Sequence, residues 1–120
     1  MMKPRIKARW IKALLSGDYT QGRNALKSST DGGKTFKHCC LGVLCELVDP
    51  DGWSNRHPTP GYDPESESFN YCHHQCEGVL SPGVEHQVGL TSKEVDHLTH
   101  LNDEKNYTFA AIAAHIKANL

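Results

Sequence analysis

The chain has 120 residues, 38% of them hydrophobic, and a formal net charge of −1 at pH 7. This length predicts one domain, residues 1–120, with a core that needs no disulfides. We expect a cytoplasmic protein without a membrane span, because Arg9 and Lys12 interrupt the N-terminal segment before the apolar core of a secretion signal could form.

The net charge hides an uneven distribution along the chain. Residues 1–38 hold nine Lys/Arg and two acidic residues, whereas residues 39–120 hold four Lys/Arg and twelve acidic residues. A basic lobe favours phosphate-bearing partners. The alternative is that this lobe packs against the acidic remainder of its own fold.

The first predicted helix runs from about Pro4 to Ser16 and stops at Gly17. One face is apolar at helical spacing and holds Ile6, Trp10, Ala13 and Leu14. A separate basic stripe holds Arg5, Arg9 and Lys12. This stripe is either a solvated helix face or part of a binding surface.

Glycines make residues 17–37 loop-like, and this segment mixes aromatic, amide and cationic side chains that can grip a phosphate or a nucleotide. The predicted ligand-binding residues are Arg9, Lys12, Tyr19, Gln21, Arg23 and Lys27. The segment could equally be an ordinary connector anchored by Leu26.

A second helix is predicted from about Cys39 to Val48, and it is apolar on most sides, which indicates burial in the centre of the fold. Buried cysteines such as Cys40 behave as small hydrophobic residues. The alternative is a nucleophile at Cys39 or Cys40, whose thiol pKa a helix N-terminus would lower. No partner acid or amide is marked in the sequence, and we predict no catalytic residues.

Residues 49–80 form a predicted long insertion, irregular or built as a β-hairpin that brings Trp53 near Phe69 and Tyr71. The insertion also carries the best metal candidates, which are Cys72, His73, His74 and Cys76. Thiolates and imidazoles are typical zinc ligands, so we consider a structural zinc ion. The alternative is a loop with incidental thiols and imidazoles.

The last thirty residues predict a helical hairpin. Thr91 and Glu94 form a capping-box pattern for a helix that ends near Leu101, and Thr108 caps the final helix. Two histidines of the first of these helices, His97 and His100, could bind a metal ion or sense pH, or simply face solvent. We do not expect sequence-specific DNA binding, because a recognition helix would have to follow residue 120.

These elements predict a mainly α fold, with α+β as the alternative, of about four helices with a C-terminal helical hairpin and the 49–80 insertion. The predicted core contains Ile6, Trp10, Leu14, Cys40, Leu41, Leu44, Leu47, Val95, Leu98, Phe109, Ile112 and Ile116.

Four segments resemble a small family of uncharacterised bacteriophage and prophage proteins. They are residues 10–21, the Cys-Cys-Leu-Gly-Val-Leu-Cys motif at Cys39–Cys45, residues 80–90, and residues 101–113. The motif is the most specific of the four. The chain departs from the family at Leu80-Ser81-Pro82, where Leu-Pro is expected, and the Cys72–Cys76 segment is peculiar to this chain.

This resemblance implies a phage accessory protein acting in the host bacterial cytoplasm, and it transfers no catalytic residue. Our first hypothesis is a non-enzymatic binding protein that counters a host process, namely antiviral defence, by binding a host protein or sequestering an anionic nucleotide-like signal. The second is a small zinc-stabilised regulatory or nucleic-acid-associated protein. The third is a thiol-dependent enzyme. The sequence leaves a homo-oligomer open.

Overall fold

The computed structural model describes residues 2–54 and 68–120, which form five helices and four short strands. The helices are α1 Pro4–Leu15, α2 Cys40–Val48, α3 Pro82–Val88, α4 Ser92–Asp103 and α5 Phe109–Asn119. The strands are β1 Thr20–Gln21, β2 Lys27–Ser29, β3 Lys37–His38 and β4 Phe69–Tyr71. The fold is therefore α+β, and the mainly α prediction underestimated its sheet.

The four strands form one mixed sheet in the order β1-β3-β2-β4. Strand β1 pairs in parallel with β3, while β2 pairs antiparallel with both β3 and β4. The prediction of a loop over residues 17–37 was wrong in part, because this segment contains β1, β2 and the first residue of β3. Strands of two or three residues are too short for a recognisable alternation of apolar and polar residues.

Helix α2 lies at the centre of the core, with its residues from Cys40 to Cys45 buried. Helix α1 packs against α5 and α2, and α4 packs against α2. The indole Nε1 of Trp10 donates a hydrogen bond of 2.8 Å to the carbonyl of Cys40, which joins α1 to the start of α2. Ten of the twelve predicted core residues are buried, and Ile6 and Leu47 are partly buried at its edge.

The C-terminal helical hairpin and its caps are confirmed. Thr91 and Glu94 form a reciprocal capping box on α4, and the Thr108 hydroxyl accepts a hydrogen bond from the first turn of α5. The predicted insertion supplies β4, and α3 begins just after it; residues 55–67 of the insertion lie outside the described part of the chain. The Ser81 side chain caps α3, which has only seven residues and therefore gave little periodic signal.

A buried asparagine ties α4 to the sheet and to α2. The Asn102 Oδ1 accepts hydrogen bonds from Gln21 Nε2 at 2.9 Å and from the Cys40 backbone N–H at 3.3 Å. Its Nδ2 donates to the Gly22 carbonyl at 2.9 Å and to Asp103 Oδ1 at 2.8 Å. One fully buried side chain thus fixes three elements relative to one another.

The longest helices of the described chain have 12 residues, and none combines the length and the apolar character required to cross a bilayer.

Candidate functional site

A cavity of about 330 Å³ lies between the last turns of α1 and the segment that leads into β1. Its charged and aromatic lining comes from Arg9, Lys12, Asp18 and Tyr19, and Leu47 supplies apolar surface. The volume is at the lower end of the range typical of small-molecule sites. We refer to this feature as the basic cavity, because two cations outnumber its single carboxylate.

Two residues of the basic cavity are held in place by the protein. Arg9 Nη2 donates a hydrogen bond of 3.2 Å to the carbonyl of Leu47, near the end of α2. The Tyr19 ring packs edge-on against His38, with ring centroids 5.3 Å apart. Partial burial, followed by the negative charges of Glu46 and Asp18, raises the pKa of the Tyr19 phenol above 10.0. The phenol therefore stays protonated and can donate a hydrogen bond to an anion.

The cavity contains Arg9, Lys12 and Tyr19 from the predicted ligand-binding set, and the other three members lie elsewhere. Gln21 bonds Asn102 and the backbone of the α4–α5 turn, so its role is structural. Arg23 is exposed and does not line the cavity. Lys27 lies in a separate polar cluster on the sheet. The sequence grouped these residues by proximity along the chain, whereas the strands separate them in space.

The Lys27 ammonium lies over three aromatic rings, with its Nζ 4.6 Å from the ring centre of Phe36 and 5.0 Å from those of Trp53 and Tyr71. The same Nζ is 3.6 Å from Glu46 Oε2. Such an arrangement combines cation–π attraction with an ion pair. Because Lys27 is mostly buried by these partners, it stabilises the sheet and is not presented to a ligand in solution.

Glu46 is the acceptor at the centre of this cluster. Besides Lys27, it receives hydrogen bonds from Trp53 Nε1 and from His38 Nε2, the latter at 3.2 Å. Burial alone would raise the pKa of Glu46, but the His38 bond, the Lys27 charge and the Trp53 bond together lower it below 4.5. The carboxylate is thus ionised at neutral pH and holds β2, β3 and α2 together.

A possible metal-ligand triad lies beyond the end of α2. Asp49, His73 and His74 each place one ligand atom within 4.8 Å of the others, and no other such group of three or more occurs in residues 2–54 and 68–120. His74 Nε2 is 2.5 Å from Asp49 Oδ2, and His73 Nε2 is 2.8 Å from the Asp49 carbonyl. The His74 hydrogen bond holds the pKa of Asp49 below 3.8, so its carboxylate is ionised.

The triad contains two of the four predicted metal candidates. His73 and His74 belong to it, whereas Cys72 and Cys76 do not reach the same group. The residue that the sequence did not indicate is Asp49, which ends α2 and meets the histidines only after the chain returns. An aspartate followed by Pro50 has the ordinary signal of a helix end, so no local pattern marks it as a ligand.

The thiols of α2 are unsuited to nucleophilic chemistry. Burial raises the pKa of Cys39 to about 12 and raises that of Cys40 well above 9.0. The helix N-terminus was expected to lower the Cys39 pKa, and this expectation was wrong, because desolvation of the thiolate is the larger effect. The structure therefore argues against a thiol-dependent enzyme that uses these residues.

The two histidines predicted on α4 do not form a joint site. His97 packs against His115 of α5 with ring centroids 5.0 Å apart, whereas His100 Nδ1 pairs with Glu104 at 2.8 Å. Each histidine therefore has a different partner, and neither joins a group of three metal-ligating side chains in the part of the chain that is described.

The chain belongs to the family described as a domain of unknown function, DUF8296, whose model matches residues 2–120. No curated protein and no solved structure matches it.

Proposed function

We propose that this chain is a phage-encoded, non-enzymatic binding protein that acts in the host bacterial cytoplasm and counters a host process, namely antiviral defence. It does so by sequestering a small anionic, nucleotide-like signal or by binding a host protein. The basic cavity is the observation that supports an anionic ligand. The phage setting rests on the sequence resemblance of the four segments described above.

The basic cavity has the groups that an anionic nucleotide requires. Arg9 and Lys12 offer charged donors for phosphate oxygens, and Tyr19 offers a phenol donor and a ring edge. The hydrogen bond from Arg9 to Leu47 restricts the guanidinium before a ligand arrives, which reduces the entropy lost on binding. Asp18 opposes a highly charged ligand, so we expect one or two phosphate groups at this site.

The test is isothermal titration calorimetry at low salt with ADP and with a cyclic dinucleotide, each of which carries two phosphate groups. A charge-assisted hydrogen bond contributes about 1.5–3 kcal/mol. Reversing the charge with Arg9→Glu should therefore weaken binding roughly 10- to 100-fold. The matched control is Arg5→Glu, which makes the same charge change on an exposed part of the same helix outside the cavity.

Equal weakening by both substitutions would indicate non-specific charge attraction and contradict the cavity as the site. Absence of binding to both nucleotides would contradict the sequestration of an anionic signal. A host protein partner would then be sought in a pull-down from bacterial lysate, again comparing Arg9→Glu with Arg5→Glu. Loss of a captured protein only with Arg9→Glu would support the protein-binding form of the proposal.

A second candidate function is a small zinc-stabilised regulatory or nucleic-acid-associated protein, and the triad of Asp49, His73 and His74 favours it. Imidazole and carboxylate are common zinc ligands. An ion bound only by the folded state at 100 times its Kd would add about 2.7 kcal/mol. Addition of EDTA should then lower the Tm by several degrees, and an unchanged Tm would contradict this function.

A further inference from the structure

The three ligand atoms of the triad surround one small space beside Gly52. A Cβ atom placed on Gly52 would lie 2.5 Å from His73 Nε2, 2.7 Å from His74 Nε2 and 2.9 Å from Asp49 Oδ2. The three ligand atoms therefore lie around one side of Gly52, and all are within 4.8 Å of one another. Such closeness is required for one ion to be shared by three ligands.

The chain holds these ligands on elements with defined geometry. Asp49 is the C-cap of α2, a helix with six consecutive buried residues. His73 is fully buried and packs against Trp53, with ring centroids 4.8 Å apart. Two reciprocal backbone hydrogen bonds between His73 and Cys76 close the tight turn that carries His74. The ligands thus come from a helix end and from a closed turn, which limits their motion.

One side of the triad opens onto a cleft. Asp49 and His74 line a cavity of about 520 Å³, whose opposite wall is formed by Ser81 and the first turns of α3. His73 does not line this cleft and lies on the buried side. An ion held by the three ligands would therefore have protein on one side and an open cleft on the other.

Two imidazole nitrogens and one carboxylate oxygen suit first-row divalent metals such as Zn²⁺, Fe²⁺ and Co²⁺ better than Ca²⁺ or Mg²⁺, which prefer oxygen ligands. Structural zinc sites have four protein ligands, whereas sites with three protein ligands keep a position for water or another ligand. Among residues 2–54 and 68–120 the triad offers three.

We propose that Asp49, His73 and His74 bind one divalent transition-metal ion whose remaining coordination position faces the cleft and exchanges its ligand with solution. This inference rests on the second candidate function, metal binding, and replaces a closed structural ion with an open one. The cleft would then admit a small anion or another Lewis base, because ligands of this class coordinate transition-metal ions.

The surroundings of the buried His73 ring limit the affinity of the triad for a metal ion. Its Nδ1 is buried and has no hydrogen-bond partner among the described residues, and its Nε2 contacts the Asp49 carbonyl. Coordination through Nε2 places the ring proton on Nδ1, where none of the described residues accepts it. Loss of such an outer partner weakens metal affinity roughly 10- to 100-fold. We therefore expect tighter binding than adventitious surface sites, but weaker binding than at closed zinc sites.

The experiment uses Co²⁺, whose visible absorption reports its ligands, added to the full chain after EDTA treatment and desalting. The expected result is one Co²⁺ per chain, followed by a spectral change when sodium azide is added. His74→Gln should weaken Co²⁺ binding at least roughly 10-fold. Gly52→Ala should also weaken it, because the new methyl group fills the space between the ligands.

Two control variants separate the triad from other sites. His100→Gln removes a histidine that is also paired with a carboxylate and similarly exposed, at 43% against 49% for His74, but that has no third ligand among the described residues. Cys76→Ser tests the thiol predicted from the sequence. Both should bind Co²⁺ like the unmodified chain, and circular dichroism of each variant verifies its fold.

Each outcome decides one part of the proposal. Binding that is lost with His74→Gln, retained in both controls and changed by azide supports the open site. Binding that depends on His74 but does not respond to azide overturns the open position and leaves the second candidate function intact. Absence of stoichiometric binding, or binding that depends on Cys76 and not on His74, overturns the triad as a metal site.

Discussion

Gly42 lies where α2 approaches the chain just before β2, and this contact yields the sharpest prediction about stability. A Cβ atom on Gly42 would lie 1.7 Å from the carbonyl oxygen of Leu26 and 2.7 Å from its carbonyl carbon. Both are backbone atoms, so no side-chain rotation can relieve the clash. The substitution Gly42→Ala therefore forces α2 and the Leu26 segment apart by more than about 1 Å, because packed interiors have little spare room.

The cost of this separation follows from what it breaks. The backbone N–H of Cys39 donates to the Leu26 carbonyl at 3.2 Å, and the Trp10 indole donates to the Cys40 carbonyl at 2.8 Å. Each net hydrogen bond is worth about 1 kcal/mol. Overpacking of a well-packed core costs about 1–3 kcal/mol more. We expect Gly42→Ala to lower the free energy of unfolding by about 3–5 kcal/mol.

The matched control is Gly83→Ala in α3, where an added Cβ meets no atom within 4 Å. Alanine is favoured over glycine in a helix by about 0.5–1 kcal/mol, so this variant should be slightly more stable than the unmodified chain. Urea denaturation followed by circular dichroism measures both. With an m value of about 1–3 kcal/mol/M, the midpoint should fall by 1 M or more for Gly42→Ala. Equal midpoints for the two variants would refute the close approach of α2 to Leu26.

Three further predictions concern the buried polar groups and the thiols. Asn102→Asp removes both donated hydrogen bonds and places a carboxylate near Asp103, so the unfolding free energy should fall by about 3 kcal/mol in the same urea assay, and a loss below about 1 kcal/mol would contradict the network. The folded pKa of Glu46 lies below 4.5, so its contribution to stability is complete above that pH and is lost as pH falls through the folded pKa. Glu46→Gln should therefore flatten the fall of Tm with pH on the acid side, and an unchanged slope would contradict this assignment. Ellman's reagent should modify Cys76 rapidly in the folded protein and the four buried cysteines only after denaturation, whereas rapid reaction of more than one thiol would contradict their burial.

Four of the five helices in the described part of the chain were predictable from local signals, whereas α3 and the sheet were not. Periodic apolar residues and capping residues lie within a few positions of one another, so α1, α2, α4 and α5 could be placed to within one or two residues. Strand β2 instead pairs with β4, whose residues lie about forty positions further along the chain. Pairings of two or three residues over such separations leave no pattern in a single sequence.

The same distinction between local and distant signals explains which site residues were found. Arg9 and Lys12 share one helix stripe, and Tyr19 follows that helix closely, so these three residues of the basic cavity could be grouped from the sequence, whereas Leu47 could not. Asp49 lies 24 positions before His73, and only the folded chain brings them together. Lys27 was assigned to a ligand because cations near aromatic residues suggest binding, but the structure satisfies it internally with Glu46.

Helix α2 is buried at every position from Cys40 to Cys45, which requires small or apolar residues there. Its thiols therefore serve as packing groups. The residues that contribute to the candidate sites lie beyond this buried stretch, at the last turn and the end of the same helix. There Leu47 anchors Arg9 of the basic cavity, and Asp49 contributes the carboxylate of the triad. A rigid buried helix thus positions residues of both candidate sites, which is the arrangement expected when a small fold must hold ligands accurately.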